Sequence, residues 1–121
     1  MSILLLIEDD NDLRGTLKEL LQQEGYEIQE ATSVDQAMTC LQTSQPQLVL
    51  LDIMLPGGKN GFDFLESIRK DPKTKDLPVI ILSNLDSEKT VAEKIGIQGY
   101  FVKANTPLNT IVSAVKETVK K

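Results

Sequence analysis

The chain has 121 residues, the size of one ordinary domain, and its 40% hydrophobic and 26% charged residues are the composition of a globular protein with its own core. Its 13 basic and 18 acidic residues leave a net charge of −5, which argues against nucleic acid as a direct partner, since phosphate contacts need clustered lysine and arginine. There is no histidine and only one cysteine, Cys40, which excludes His-ligated zinc, Ser–His and Cys–His nucleophiles, a phosphohistidine on this chain and an intrachain disulfide.

The first element is the apolar run Ile3–Ile7, long enough for a strand buried on both faces. It is too short for a signal core and is followed by acids, so export is not expected and the chain reads as cytoplasmic. No run approaches membrane-spanning length. Glu8, Asp9, Asp10, Asn11 and Asp12 follow, then a helix with Leu13, Leu17, Leu20 and Leu21 at helical spacing, ending near Gly25. Gly15 should weaken that helix by about 0.5–1 kcal/mol relative to alanine, and nothing in the sequence accounts for it. Residues Tyr26 to Ala31 alternate apolar and polar, the pattern of a half-exposed edge strand. Ser33 caps a second helix with Ala37, Met38 and Leu41 inward and Cys40 packed beside them.

The stretch Leu48–Gly61 (LVLLDIMLPGGKNG) organises the rest. Four apolar residues run without polar lead-in to Asp52, and a carboxylate at the end of a buried strand is costly unless a cation or donors meet it. Pro56, Gly57, Gly58, Asn60 and Gly61 then mark a loop. Taken alone, Asp52 reads equally well as a simple strand terminator. A third helix, Phe62–Lys70, carries Phe62, Leu65 and Ile68 inward and breaks at Asp71-Pro72. Val79–Leu82 is another fully apolar strand, leading to Ser83 and Asn84. Asp86 or Ser87 should cap the next helix, with Val91, Ala92 and Ile95 inward. Tyr100–Val102 is a short last strand ending at Lys103, and Pro107 fits the first turn of a final helix lined by Leu108, Ile111, Val112, Val115 and Val119. Lys116, Lys120 and Lys121 suit a helix C-terminus.

Five strands alternating with five helices predict an α/β doubly wound sandwich with parallel strands and right-handed crossovers. The first, third and fourth strands are apolar throughout and belong in the centre; the second and fifth suit edges. That is the flavodoxin-like order 2-1-3-4-5, whose switch point lies between the first and third strands. Glu8, Asp9 and Asp52 then converge at the carboxyl edge, with Ser83 and Lys103 after the neighbouring strands. Clustered carboxylates demand a cation, and hard oxygen ligands in an open site suit Mg²⁺. A lysine and a hydroxyl aimed at the same crevice suit phosphoryl oxygens. Aspartyl phosphate chemistry needs those parts. Each residue has a bland reading too: the acids as a solvated helix start, Lys103 as a surface lysine, Ser83 as a cap. Their coincidence at strand carboxyl ends favours the site. An EF-hand beginning at Asp10 fails because Arg14 and Leu21 occupy ligand positions, and neither a G-x-x-x-x-G-K-[ST] nor a G-x-G-x-x-G loop is present.

With these residues in hand, the chain resembles the receiver domain of bacterial two-component response regulators over essentially its whole length, 1–121. The motifs are IEDD (Ile7–Asp10), LLDIMLP (Leu50–Pro56), ILSN (Ile81–Asn84) and YFVK (Tyr100–Lys103), specific in this order and spacing. Chemotaxis members of that family are a standard example of the strand order above, so order and resemblance are not independent. The resemblance implies that Asp52 is the phosphoacceptor, that Asp9, Asp52 and the Met54 carbonyl bind Mg²⁺ with Glu8 acting through a metal-bound water, and that Ser83 and Lys103 contact the phosphoryl group. Tyr100 matches the family's switch aromatic, which turns inward as Ser83 moves towards phosphate; Asp10 matches least well. The implied donor is a phosphohistidine on a sensor histidine kinase or histidine phosphotransfer protein, and the implied output is a downstream protein bound at the face of the fourth helix, fifth strand and fifth helix.

Three departures qualify the resemblance. Gly61 lies nine residues after Asp52 where the family commonly has eight, which reads as a one-residue insertion in GGKNG. Ala104 follows Lys103 where the family usually has proline in a cis bond; cis before alanine costs about 3–4 kcal/mol, so trans is the default here, with a strained cis bond retained to place Lys103 as the alternative. Met54 and Leu85, which flank the site, are both apolar and cannot orient an attacking water, so the phosphorylated form should be long-lived. Two competing functions remain in view. A pseudo-receiver would act as an interaction module without phosphorylation. A haloacid-dehalogenase-type phosphatase would need an acid at position 54, where Met54 stands. The sequence carries no DNA-binding pattern in 100–121, and it is expected to be either a stand-alone receiver or the front of a longer regulator.

Overall fold

Five parallel strands alternate with five α-helices in the computed structural model, which describes residues 2–119 apart from the side chain of Asp86. The strands are β1 (Ile3–Ile7), β2 (Glu27–Ala31), β3 (Leu48–Asp52), β4 (Val79–Ser83) and β5 (Gly99–Val102). The helices are α1 (Asn11–Gln23), α2 (Val34–Thr43), α3 (Gly61–Lys70), α4 (Lys89–Ile95) and α5 (Leu108–Thr118). The sheet order is β2-β1-β3-β4-β5 with every neighbouring pair parallel. Lys120 and Lys121, expected at the end of the last helix, lie outside the described residues; Lys116 occupies its last turn and pairs with Glu24 at 3.0 Å.

The apolar runs are continuous because the central strands are covered twice. Leu4, Leu6, Leu48, Leu50, Ile80 and Leu82 pack with Leu17 and Leu21 of α1 and Ile111 and Val115 of α5. Leu5, Ile7, Val49, Leu51, Val79 and Ile81 pack on the other face with Ala37 of α2, Phe64, Leu65 and Ile68 of α3, and Ala92 of α4. Successive strand residues point to opposite faces, so a strand between two helix layers must be apolar at every position. The polar-apolar alternation of β2 correctly marks an edge.

Several local expectations hold. Ser33 caps α2 by accepting from the Gln36 N–H at 3.2 Å. Gly25, at φ +94°, closes α1: its N–H and that of Tyr26 donate to the carbonyls of Gln22 and Leu21. Cys40 packs against the core, and the Lys103–Ala104 peptide is trans. Others are corrected. The fully buried aromatic of α3 is Phe64, which lies at i+4 spacing to Ile68 in the inward stripe Gly61, Phe64, Leu65, Ile68; Phe62 packs against the core from the edge of that stripe and is only half-buried. Neither Asp86 nor Ser87 takes the N-cap position of α4. A 3₁₀ turn over Asp86–Glu88 precedes the helix, and Glu88 stands at its N-cap without a side-chain cap bond. Val91 points outward, 48% exposed, leaving Ala92 as the buried residue of α4 with Ile95 packed beside it. Pro107 sits at the N-cap position of α5, one residue before the first turn.

Candidate functional site

The register brings the acidic residues together. Ile7 pairs with Leu51 and Asp52 with Leu82, so Glu8 follows β1 directly beside Asp52 at the end of β3. Carboxylate oxygens of Glu8, Asp9 and Asp52 lie within 4.8 Å of one another. Glu8 and Asp52 are buried, at 1% and 4% exposure, while Asp9 is open to solvent. Asp10, the fourth acid, turns away: its Oδ1 accepts from the N–H groups of Asp12 and Leu13 and caps α1. For this residue the bland reading of an acid at a helix start is the correct one.

Lys103 is the cation that meets them. Its Nζ lies 2.6 Å from Glu8 Oε1 and 3.2 Å from Asp52 Oδ2. One ammonium does not balance the cluster. Burial, and then the neighbouring charge of Glu8, push the Asp52 carboxyl up to about 6 from its usual 3.8, against the pull of Lys103. Burial alone would lower Lys103, but the carboxylates of Glu8 and Asp52 outweigh it and hold the ammonium above its ordinary value. Glu8 Oε1 is buried and accepts no aligned hydrogen bond. Crowded hard oxygens, partly under-neutralised and open to solvent on the Asp9 side, fit a divalent cation that keeps part of its water shell.

The surrounding backbone fixes this geometry. Met54 N–H donates to Asp52 Oδ1 at 3.2 Å, while the Met54 side chain is 62% exposed. Gly61 N–H donates to the Ile53 carbonyl at 2.7 Å, and a Cβ on Gly61 would meet the Asp52 carbonyl and come within 2.8 Å of Ile53 Cα. The nine-residue spacing is therefore absorbed upstream, where Gly57 and Gly58 take φ +93° and +81° and Asn60 with Asp63 forms a capping box. Ser83 is fully buried at the end of β4, and its Oγ accepts from the Leu85 N–H at 3.0 Å. Tyr100, half-buried on β5, donates its hydroxyl to the Leu85 carbonyl.

Sequence reasoning missed two residues that brace the site. Arg14 donates to the Glu8 carbonyl at 3.0 Å and pairs with Glu30, tying the acidic loop to α1 and β2. A basic residue two positions after the acidic run Glu8–Asp12 was the available signal. Asn84 accepts from the Ala104 N–H at 3.1 Å, linking the loops after β4 and β5; it closes the ILSN motif, but nothing in the sequence assigns its side chain this role. A groove of about 1050 Å³, lined in part by Met38, Leu41, Pro46 and Leu77, opens at the opposite edge of the sheet. A metal ion and a phosphoryl group need convergent polar atoms more than volume, so the small polar crevice is the stronger candidate.

A family model described as the response regulator receiver domain matches residues 4–116. The phosphate regulon transcriptional regulatory protein PhoB of Escherichia coli is 30% identical over 120 residues, 98% of this chain and 52% of that protein. The transcriptional regulatory protein CpxR of Klebsiella pneumoniae is 38% identical over 105 residues, 85% of this chain and 43% of that protein. The chain spans about half the length of these curated relatives. Among solved structures, the non-phosphorylated HemR receiver domain of Leptospira biflexa aligns with a TM-score of 0.88 at 31% identity, covering 100% of this chain and 96% of that one. Response regulator TrrA of Thermotoga maritima, solved in complex with Mg²⁺-BeF, aligns at 0.86 and 31% identity, covering 98% and 100%. A sheet wound in receiver order, an acidic cluster at its switch point and a family match over nearly the full length agree: the chain belongs to the receiver domains of two-component response regulators.

Proposed function

We propose that the chain works as one receiver unit and a phosphorylation-controlled switch, with Asp52 as phosphoacceptor. The observation that carries this is the meeting of Glu8, Asp9 and Asp52 with Lys103 where β1 and β3 end. Asp9, Asp52 and the Met54 carbonyl would hold Mg²⁺, with Glu8 beside them; bound there, the ion supplies the charge neutralisation that lets a second anion approach the carboxylates. The Mg²⁺-BeF complex of TrrA, 31% identical to this chain, supports a Mg²⁺ site in a domain of this kind.

The chain's own residues do the remaining work. An Asp52 carboxyl titrating near 6 is mostly ionised at neutral pH and can serve as nucleophile. Lys103, held protonated, leaves its contact with Asp52 for the incoming phosphoryl oxygens. Ser83 must exchange its bond with the Leu85 N–H for the phosphoryl group, and Leu85 is also where Tyr100 is bonded. Movement of that loop couples the site to the surface of α4, β5 and α5, which a downstream protein would read. The phosphoryl donor is a phosphohistidine on a sensor histidine kinase or phosphotransfer protein, consistent with a chain that has no histidine.

The test is thermal unfolding with Mg²⁺ alone and with Mg²⁺ plus beryllofluoride, a phosphoryl mimic. Beryllofluoride should raise the midpoint of the wild type and leave Asp52→Asn unmoved. A wild type indifferent to both additions points instead to a non-phosphorylated interaction module.

A further inference from the structure

Lys103 reaches the carboxylates on a long, flexible side chain, so something must fix the backbone from which it extends. That backbone begins a 3₁₀ turn, Lys103–Asn105, immediately after β5. The first amides of such a turn have no partner within it. The Ala104 N–H donates instead to Asn84 Oδ1 at 3.1 Å, across 20 residues of sequence. On the other side, the Thr106 hydroxyl donates to the Val102 carbonyl at 2.8 Å. Asn84 in turn stands between Ser83, whose Oγ accepts from Leu85 N–H, and Leu85, whose carbonyl takes the Tyr100 hydroxyl. Ser83 and Val102 are paired across β4 and β5, so one side-chain amide bridges the two loops that deliver Ser83 and Lys103. A proline at 104 could not make this bond, because it carries no N–H.

We propose that Asn84 is a positioning residue for phosphoryl transfer to Asp52: through the Ala104 amide it sets where Lys103 starts and how far the Ser83 loop stands from it. This rests on Asp52 being the phosphoacceptor. Asn84 would act through the Ala104 amide, without itself touching the metal or the phosphoryl group. Reacting groups misplaced by a fraction of an ångström lose rate disproportionately, while an exposed hydrogen bond is modest in strength. Removing it should therefore slow phosphorylation by about threefold to tenfold.

The experiment is a double-mutant cycle with phosphoramidate as donor. An Asp52 oxygen–phosphorus bond forms as the phosphorus–nitrogen bond breaks, and nitrogen leaves as ammonia after taking a proton from water. The rate at saturating Mg²⁺ and the Mg²⁺ concentration for half-effect are measured for wild type, Asn84→Ala, Ala104→Pro and the double variant. Asn84→Ala should lose the stated rate in the wild-type background, lose none in the Ala104→Pro background, and leave the Mg²⁺ half-effect unchanged throughout. An Asn84→Ala rate equal to wild type, an equal loss in both backgrounds, or a shift in the Mg²⁺ half-effect overturns the inference. A wild type that takes up no phosphoryl group overturns the phosphoacceptor reading itself, which separates that failure from a failure confined to Asn84.

Discussion

Asp52 and Lys103 make opposite demands on the fold. In the folded chain Asp52 holds its proton up to about pH 6, against 3.8 for a free side chain. Between those values the folded state binds more protons than the unfolded one, so this residue's stabilising contribution is complete below about pH 4 and is lost as pH rises through 6. The ceiling on that loss is about 3 kcal/mol, and with Lys103 nearby an effect on the order of 1–3 kcal/mol is expected. Without metal, Asp52→Asn should therefore gain on the wild type by that amount between pH 4 and pH 7, measured by denaturant unfolding; saturating Mg²⁺ should narrow the gap. Lys103→Met leaves Glu8 and Asp52 buried without their counter-ion and should cost about 3 kcal/mol in the absence of metal, more than Mg²⁺-saturated protein would lose. A destabilisation that is the same with and without Mg²⁺ would contradict the view of Lys103 as the internal counter-charge.

At the scale of elements, two glycines make opposite predictions. Gly15 sits mid-helix on the exposed side of α1 with open space where a Cβ would be, so Gly15→Ala should stabilise by about 0.5–1 kcal/mol in thermal or denaturant melts. Gly61→Ala would drive a methyl into the Asp52 backbone and should both destabilise the fold and weaken Mg²⁺ binding. The strands were legible because burial on both faces writes itself as unbroken apolar runs, as in Ile3–Ile7 and Val79–Leu82. The carboxylate cluster was legible because its members sit next to those runs. Phe64 was less so, since Phe62 also stands at helical spacing to Leu65 and packs at the margin of the same core. The start of α4 was obscured because Asp86 and Ser87 are good capping residues that the chain uses in a 3₁₀ turn instead. Arg14 and Asn84 act through hydrogen bonds to and from main-chain groups, which leave no periodic trace in the sequence.

For the whole molecule, the chain combines a receiver site with apolar flanking residues. Met54 is exposed at the rim and Leu85 is half-buried beside Ser83, and neither can hold a water in line with the phosphoryl group. The phosphorylated form should lose its phosphate slowly for a receiver, and Leu85→Glu or Met54→Asn should accelerate the loss. Fast hydrolysis by the wild type would contradict that reading of the two side chains. The central claim, that acids from β1 and β3 together with Lys103 make Asp52 a phosphoacceptor, is tested most directly by intact-mass analysis after incubation with phosphoramidate and Mg²⁺. The wild type should gain one phosphoryl group, lost when Mg²⁺ is chelated beforehand and absent from Asp52→Asn. A wild type that gains none, or an Asp52→Asn chain that gains as much, would contradict it.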